Sequence, residues 1–380
     1  MARQTDVISL HSPSPGVKRD LIVHRYGKVG QGKKVYIQAA LHADEWPGLM
    51  AAHHLVPLLD EADKNDEILG EIIVVPYANP IGMGQSINGK IAGRYSFDGS
   101  GNFNRNWADL AKGAAPKLEG KLTGDKDADI ELVRAAFRDV VASQSRATDI
   151  GQLRAELMSM SCDADYVLDL HCDGEAELHI YANARYEKMA TDLAKDLDAP
   201  VLLLETEAGG GPFDEANSSP WWQLQDYLPD AGHLGAACKS VTVEFRGGND
   251  ISDEFGKKDA EGIMSFLRRE GIVAGEATPA RDEVLVSLLH ATDVVHAPIC
   301  GLVSYKAELG QWVSKGDVVA VIIDIAATNP LEGRYELKSQ TDGRYFARAV
   351  ERLVRPGDAL IKIAGKEPLA HRQEGNLLEA

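Results

Sequence analysis

Short apolar runs alternate with amphipathic segments along the first three quarters of the chain. Residues 47–64 and 125–144 carry apolar positions at helical spacing, with Pro47 near the first start and acidic residues opening the second. Strands that are apolar on both faces and alternate with helices indicate an α/β domain whose sheet is covered on both sides. The predicted strands lie in KKVYIQAAL (33–41), GEIIVVPYANP (70–80), DYVLDLH (165–171), AELHIYA (176–182), APVLLLE (199–205) and KSVTVEF (239–245).

The last quarter of the chain has a different pattern, which follows a stretch rich in Gly, Ala and Pro around residues 270–283. Residues 301–322 and 343–363 are weakly similar, since each segment runs from a glycine through alternating residues to a Gly-Asp pair and an apolar strand. A Gly-Asp pair before an alternating run predicts a β-hairpin. We therefore expect an α/β domain over residues 1–284 and a small, pseudo-symmetric β-barrel or sandwich over residues 285–380.

This repeated β-segment resembles a biotinyl/lipoyl-type domain. Such domains carry their prosthetic group on a lysine at the tip of the central hairpin. The corresponding tip falls near Glu332, Gly333 and Arg334, where no lysine is present. We expect the shape of such a domain without its carrier function.

Composition and charge narrow the class of partner. The 380 residues are 44% hydrophobic and 26% charged, and 58 acidic against 40 basic residues give a net charge of −18. Such a chain repels phosphate backbones, so we expect no nucleic-acid partner. The four cysteines form no C-x-x-C pair, and the sequence has neither an evident signal peptide nor an apolar run of about 18 residues. We expect a cytoplasmic protein without a membrane partner.

Polar residues with metal-binding chemistry stand at the ends of three predicted strands. His42 and Glu45 follow the first, His171 ends DYVLDLH, and Glu244 lies in VTVEFRGG. Ligands of α/β sheets collect at the carboxyl ends of strands. Two imidazoles and a carboxylate are the ligands of a catalytic zinc with one position open for water, and a further carboxylate can take the proton of that water.

Each of these residues also has an ordinary structural interpretation. His42 could be a turn or core histidine, Glu45 a capping carboxylate, and His171 a partner of Asp169 or Asp173. A lone H-x-x-E pair is weak evidence of a metal. The combination of three strand ends favours the metal site.

A loop rich in Gly, Ser and Asn, GRYSFDGSGNFNRNW (93–107), contains Arg94 and Arg105 with Asn104 between them. The planar guanidinium of an arginine suits a carboxylate, and it can also stabilise the oxyanion formed when a carbonyl is attacked. A solvated surface arginine is the alternative.

Together these motifs resemble a known family. H-A-D-E (42–45), N-R (104–105), D-L-H-C-D (169–173) and V-T-V-E-F-R-G (241–247) are similar to the zinc carboxypeptidase-like superfamily, and more closely to its succinylglutamate desuccinylase/aspartoacylase branch. The resemblance implies a mixed sheet flanked by helices, followed by a small C-terminal all-β, barrel-sandwich-like domain.

The resemblance also implies a role for each site residue. His42, Glu45 and His171 would hold one Zn2+ per chain, and Glu244 would act as general base and acid. Asn104 and Arg105 would bind the carboxylate of the substrate, and Arg94 would polarise the scissile carbonyl. One departure is Asn102, since the family usually has an aspartate two residues before the Asn-Arg pair.

The expected function is therefore the zinc-dependent hydrolysis of the amide bond of a small N-acyl amino acid. A zinc carboxypeptidase acting on peptides and a non-catalytic metal- or ligand-binding protein are the alternatives. The metal could be a divalent ion other than zinc. The protein could also form a homo-oligomer. N-acetyl-diaminobutyrate, N-acetylaspartate and N-succinylglutamate are all candidates, although nothing in the sequence marks an extra cationic group for a second carboxylate.

Two further segments have simpler interpretations. EAGGGPFDEANSSPWW (207–222) lacks the G-K-S/T of a phosphate loop, so we expect a mobile loop near the site with Trp221 and Trp222 packed. DEFGKKDAEG (253–262) is interpreted as a solvated run of charges.

Overall fold

The structure, a computed structural model, describes residues 3–206 and 209–372, so the beginning of the predicted 207–222 loop lies outside the described residues. The chain forms two compact units. The first contains the residues up to His171 together with Gly211–Val243 and Ile251–Ala280. The second contains Cys172–Gly210, Glu244–Asp250 and the residues from Arg281 on. The domain boundary between residues 284 and 285 stays a prediction.

Strands and helices are numbered here in chain order. The strands are β1 (Gln4–Ser9), β2 (Asp20–Tyr26), β3 (Lys34–Ala39), β4 (Glu71–Val75), β5 (Ser86–Ile87), β6 (Lys90–Ile91), β7 (Tyr166–Asp173), β8 (Glu175–Ala176), β9 (His179–Asn183), β10 (Val201–Glu205), β11 (Lys239–Gly247), β12 (Leu285–Leu288), β13 (Thr292–His296), β14 (Gly301–Tyr305), β15 (Trp312–Val313), β16 (Val318–Ile323), β17 (Arg334–Lys338), β18 (Gly343–Arg348), β19 (Leu353–Val354) and β20 (Ala359–Gly365). The α-helices are α1 (Pro47–Lys64), α2 (Pro80–Met83), α3 (Leu110–Leu118), α4 (Lys126–Ala142), α5 (Asp149–Ser161), α6 (Glu187–Asp196), α7 (Phe213–Ser218), α8 (Pro220–Tyr227) and α9 (Asp253–Arg269). Short 3-10 turns lie at Ala184–Tyr186, Pro229–His233 and Leu289–Ala291.

The first unit is built on a mixed sheet in which β1, β2, β4, β3, β7 and β11 follow one another. β1, β2 and β4 pair antiparallel, whereas β4, β3 and β7 pair parallel. Helices α1 and α5 both pack against β3. The predicted mixed sheet flanked by helices is confirmed, and the parallel pairing brings the ends of β3 and β7 to the same edge.

Helix α1 comes unusually close to the two strands that carry the predicted metal ligands. It begins at Pro47, whose ring suits the first helical position. At Gly48, an added Cβ would lie 3.0 Å from the Cβ of Leu170 and 3.1 Å from that of Ala39. Glycine at this position lets the start of the helix lie directly on the ends of β3 and β7, and the helix predicted over residues 47–64 is confirmed.

The segment interpreted as a solvated run of charges forms the start of α9, and all its charged residues except Asp259 are exposed. The side chain of Ser252 caps this helix by accepting the backbone N–H of Phe255. Gly256, Asp259 and Ala260 are buried, whereas Lys257 and the other charged residues at the intervening positions remain exposed. Because charged residues dominate the exposed face, the sequence pattern did not indicate this amphipathic helix, which packs against α1.

In the second unit, β9, β10 and β12 pair parallel. The C-terminal region of this unit is all β, as predicted. One of its sheets has the order β13, β20, β18, β15 with β8 paired to β18, and the other has the order β17, β16, β14, β19. Among the described residues, no helix is long and apolar enough to cross a membrane.

The internal repeat appears as two matching trios of strands, β14–β16 and β18–β20. Gly316 and Gly357 both have a φ of +94°. The carboxylates that follow them accept matching backbone bonds, since Ser314 donates to Asp317 at 2.8 Å and Arg355 donates to Asp358 at 2.7 Å.

The predicted hairpins at these turns were nevertheless wrong. β15 pairs with β18, and β16 pairs with β14 and β17, so each Gly-Asp turn connects strands of different sheets. Turn chemistry determines a local reversal of the chain, whereas the partner of each strand depends on which apolar faces are buried together.

Four cations of β18, β20 and the segment between them bind the acidic residues that follow His171. Both nitrogens of the Arg344 fork contact Glu177, at 2.6 and 2.7 Å. Glu175 receives one bond from Arg348 and one from Arg352, each 2.6 Å long. Lys362 lies 2.6 Å from Asp173. These pairs fasten residues 173–177 to the β-sheets of their own unit.

His179 on β9 gives the second unit a defined response to acid. Its side chain is fully buried, its Nδ1 lies 2.9 Å from the carbonyl of Glu177, and its ring contacts Phe346. Burial lowers the pKa of His179 to about 4, and the opposing effect of Asp173 is smaller. These contacts are those of a structural histidine.

We expect His179 to destabilise the folded protein in acid. Unfolded histidine has a pKa near 6.5, so the unfolded state takes up the proton first, and the free energy of unfolding falls by about 3 kcal/mol as pH drops from about 6.5 to 4. His179→Gln should lose less stability than the wild type over this range in urea unfolding. Exposed His53→Gln serves as the control, and equal pH slopes for His179→Gln and wild type would contradict the expectation.

Candidate metal centre

The turn between β3 and α1 presents the first two site residues. Ala39 on β3 is the register partner of Leu170 on β7. His42 and His171 therefore follow, within three residues in sequence, two positions that are paired in the sheet. Ala40, just after β3, has a φ of +54°, which is rare for a residue other than glycine. Backbone strain of this kind commonly accompanies functional geometry.

Two imidazoles converge on one carboxylate. The Nδ1 of His42 lies 2.9 Å from Oε1 of Glu45, and the Nδ1 of His171 lies 2.6 Å from Oε2. One potential ligand atom from each residue lies within 4.8 Å of the others. Both histidines are buried and Glu45 is half-buried. The structure thus brings together the three ligands predicted from the sequence.

In each imidazole, the nitrogen that does not face Glu45 lies close to a side-chain oxygen that orients the ring. The Nε2 of His42 lies 2.9 Å from Oδ1 of Asn102, and the Nε2 of His171 lies 2.9 Å from Oδ2 of Asp169. The acceptor at Nε2 of His42 keeps the proton there, and the charge of Asp169 favours a proton on Nε2 of His171, which leaves the Nδ1 lone pairs available to a metal. Outer partners of this kind are typical of histidines that bind metals.

Charge at the site also favours a bound cation. Burial acts to raise the pKa of Glu45, but His42 and His171 outweigh it and hold that pKa well below its usual value. Burial acts to lower the pKa of His171, but Asp169 and Glu45 outweigh it and hold that pKa well above its usual value. Positive charge is therefore stabilised between these groups, and the donor set fits a divalent metal ion.

Asp169 has no exposed surface and belongs to a chain of buried polar groups. It accepts a bond of 2.9 Å from Gln38, which in turn accepts a bond of 2.8 Å from the hydroxyl of Tyr36. The contact of His171 with Asp169, which was the alternative interpretation of this histidine, is present together with its contact to Glu45. Asp169 orients the imidazole from the side opposite Glu45.

Arg94 reaches the same carboxylate from the 93–107 loop. Its NH1 lies 3.1 Å from Oε1 of Glu45, and its side chain is 44% exposed. Gly93 permits this approach, because an added Cβ would lie 2.4 Å from the backbone nitrogen of Asp44. Arg94 lies next to the ligand group with an accessible guanidinium, and its role toward a substrate carbonyl stays a prediction.

Asn102 was noticed in the sequence only as a departure from the family pattern. Its Oδ1 accepts the backbone N–H of Asn104 at 2.8 Å as well as facing His42. The amide oxygen of Asn102 therefore supplies an acceptor to the histidine. Only the fold could reveal this function, because 60 residues separate Asn102 from His42.

Asn104 and Arg105 lie together in the first unit. The Oδ1 of buried Asn104 accepts the N–H of Phe213 at 2.7 Å, which leaves the amide nitrogen as the group available to a ligand. Arg105 is half-buried, and its NH1 donates to the carbonyl of Asn104 at 2.7 Å. Burial and the positive charge of Arg94 lower the pKa of Arg105. The negative charges of Asp214 and Glu215 partly offset this lowering. The binding of a substrate carboxylate by Asn104 and Arg105 stays a prediction.

Glu244 belongs to the second unit, where it lies half-buried on β11. Lys362 is within electrostatic range of it, and the charge of Glu244 helps to raise the pKa of that lysine. The assignment of Glu244 as general base stays a prediction.

Comparison with known proteins is consistent with this geometry. A model of the succinylglutamate desuccinylase/aspartoacylase catalytic domain matches residues 31–269, which include all the predicted site residues. Among curated proteins, none matches the chain.

Solved structures match nearly the whole length of the chain. A protein of the succinylglutamate desuccinylase/aspartoacylase family from Shewanella amazonensis is 26% identical, with a TM-score of 0.83 over 95% of this chain and 98% of its own. The ectoine utilization protein EutE (DoeB) from Ruegeria pomeroyi is 19% identical, with a TM-score of 0.66 over 96% of both chains. A succinylglutamate desuccinylase/aspartoacylase from Rhodobacter sphaeroides is 16% identical, with a TM-score of 0.65 over 96% of both chains. The last two likenesses concern the fold alone.

The role of Asp169 can be tested through metal affinity. Asp169→Asn keeps the shape of the side chain but removes the charge that faces Nε2 of His171, and we expect metal to bind about 10–100-fold more weakly. The measurement is competition with a chromogenic chelator, with exposed Asp226→Asn as control. Unchanged affinity in Asp169→Asn would show that the metal site does not depend on this contact.

Proposed function

The chain belongs to the succinylglutamate desuccinylase/aspartoacylase family, and we propose that it is a zinc-dependent hydrolase that removes the acyl group from a small N-acyl amino acid. The observation that carries the proposal is the convergence of His42, Glu45 and His171, with an oxygen 2.9 Å from the Nε2 of each imidazole. Two nitrogens and one carboxylate form a site that leaves a position open for water. The family supports an enzyme of the hydrolase type.

His42, Glu45 and His171 would hold the zinc ion through two Nδ1 atoms and a carboxylate oxygen. When bound, zinc lowers the pKa of a coordinated water to about 7 and polarises a carbonyl oxygen. In the proposed reaction Glu244 accepts the proton of the attacking water. A C–O bond forms at the acyl carbon, the C–N bond breaks, and Glu244 returns the proton to the leaving amine.

Two arginines have separate proposed tasks. Arg94, whose guanidinium is accessible beside Glu45, donates to the carbonyl oxygen as negative charge develops there. Arg105 holds the carboxylate of the amino acid with the amide nitrogen of Asn104. This division follows the family pattern residue by residue, and the half-buried position of Arg105 supports it, because a guanidinium withdrawn from water binds an anion more strongly.

We also place the protein in a reducing compartment, the cytoplasm, because Cys162, Cys172, Cys238 and Cys300 are all free thiols. The proposed partner is a small N-acyl amino acid. A homo-oligomer remains an expectation.

Glu244→Gln should lower kcat by about 10²–10⁴, because the variant cannot accept the proton of the attacking water. Amine release from a panel of N-acyl amino acids and peptides with free C-termini measures the effect, with zinc content determined on the same samples. Exposed Glu254→Gln is the matched control. Wild-type turnover by a zinc-loaded Glu244→Gln enzyme would exclude the assigned role, and cleavage of peptides alone would move the protein to the carboxypeptidases.

Arg105→Ala should raise KM for the preferred N-acyl amino acid by about 10–100-fold, since a bond between charged partners contributes about 1.5–3 kcal/mol. The corresponding N-acyl amino acid amide, which lacks the carboxylate, is the internal control and should respond much less. An equal response of acid and amide would contradict carboxylate binding by Arg105.

A further inference from the structure

One edge of a C-terminal sheet in the second unit is open. β17 stands at the end of the sheet with the order β17, β16, β14, β19, and among the described residues it pairs only with β16. Four of its five residues are exposed, and Leu337 is the buried one. Because an edge strand carries an unpaired row of N–H and C=O groups, it can accept a further strand.

The hydrogen bonds to β16 determine which residues of β17 present those groups. Gly333, just before β17, accepts the backbone N–H of Asp324 at 2.8 Å. Bonded positions alternate along an antiparallel pair, so every second residue from Gly333 on faces β16. The residues between them present their N–H and C=O groups at the open edge, and all are charged: Arg334, Glu336 and Lys338.

These alternating charges fit a second copy of the same strand. Two antiparallel copies are related by a two-fold axis, which passes through a residue, since otherwise the groups that point outward would meet groups that point to β16. An axis at Arg334 or Glu336 would set like charges opposite each other, which is destabilising. An axis at Tyr335 sets each Arg334 opposite Glu336 of the other copy, and each Lys338 opposite Glu332. This register brings only opposite charges together.

An axis at Leu337 also avoids like charges along the strand, but it fits less well. It leaves each Arg334 opposite the uncharged Gln340, so only half as many opposite charges face each other. It also places Leu337, which is 4% exposed, where the two strands come closest, whereas Tyr335 is 48% exposed. A pair of aromatic side chains at that position stabilises a sheet, so the register centred on Tyr335 is favoured.

Apolar surface on the same hairpin favours an interface as well. The connection between β16 and β17 carries Ile325 and Leu331, whose side chains are 69% and 85% exposed. Large apolar residues that are exposed together with an open strand edge indicate a surface that a partner covers.

We propose that β17 is the subunit interface of a homodimer, in which two copies pair antiparallel around Tyr335 and join their sheets into one continuous sheet. The backbone groups of Arg334 in one copy bond those of Glu336 in the other, and the two side chains form an ion pair. Charged edge strands commonly prevent pairing. Here the charges exclude the registers that set like residues opposite each other and leave one that is complementary.

Charge reversal tests the register by analytical ultracentrifugation. Arg334→Glu and Glu336→Arg each turn two attractive pairs into repulsive ones, so we expect each to weaken dimerisation about 10–100-fold. The two single variants should form a heterodimer when they are mixed, and the variant with both changes should dimerise like the wild type. Exposed Glu351→Arg, which changes the net charge as Glu336→Arg does, is the control.

A wild type that stays monomeric at about 100 μM would overturn the proposal, and so would a dimer that the two reversals leave unchanged. Recovery of the dimer in the mixture and in the variant with both changes excludes a loss of folding as the cause. Failure to recover in either sample would contradict the proposed pairing.

Cross-linking locates the axis. In a Cys300→Ser background, which lacks the exposed thiol, Tyr335→Cys should form a disulfide-linked dimer on mild oxidation, because only the residue on the axis faces its own copy. Leu353→Cys, which is exposed on β19, is the control and should remain unlinked. Equal yields of linked dimer from the two cysteine variants would overturn the interface.

Discussion

The geometry of the candidate centre depends on one shared carboxylate. Glu45 faces the Nδ1 atoms of both His42 and His171, and it is the one carboxylate that contacts the two buried imidazoles together. The oxygens of Asn102 and Asp169 complete the arrangement from the far side of each ring. The contacts are ordered so that the outer oxygens fix the rings and the inner nitrogens point at a common position. A proton or a metal ion at that position would be stabilised by the surrounding groups, whereas an apolar group would not.

The cluster of His42, Glu45 and His171 could be predicted from sequence because the parallel sheet imposes a simple rule. Apolar runs locate β3 and β7, and parallel pairing brings their ends to one edge wherever the connections run. The contact of Asn102 with His42 could not be predicted in the same way, because Asn102 lies in a loop without periodicity.

The errors in the fold have the same physical origin. The Gly-Asp turns form as expected, with equal glycine φ angles, yet they join strands of different sheets because the pairing depends on distant partners. The start of α9 was hidden because its buried residues are small or polar, such as Gly256 and Asp259, and offer little hydrophobic signal. Local chemistry is readable along the chain, while partner choice is a property of the packed molecule.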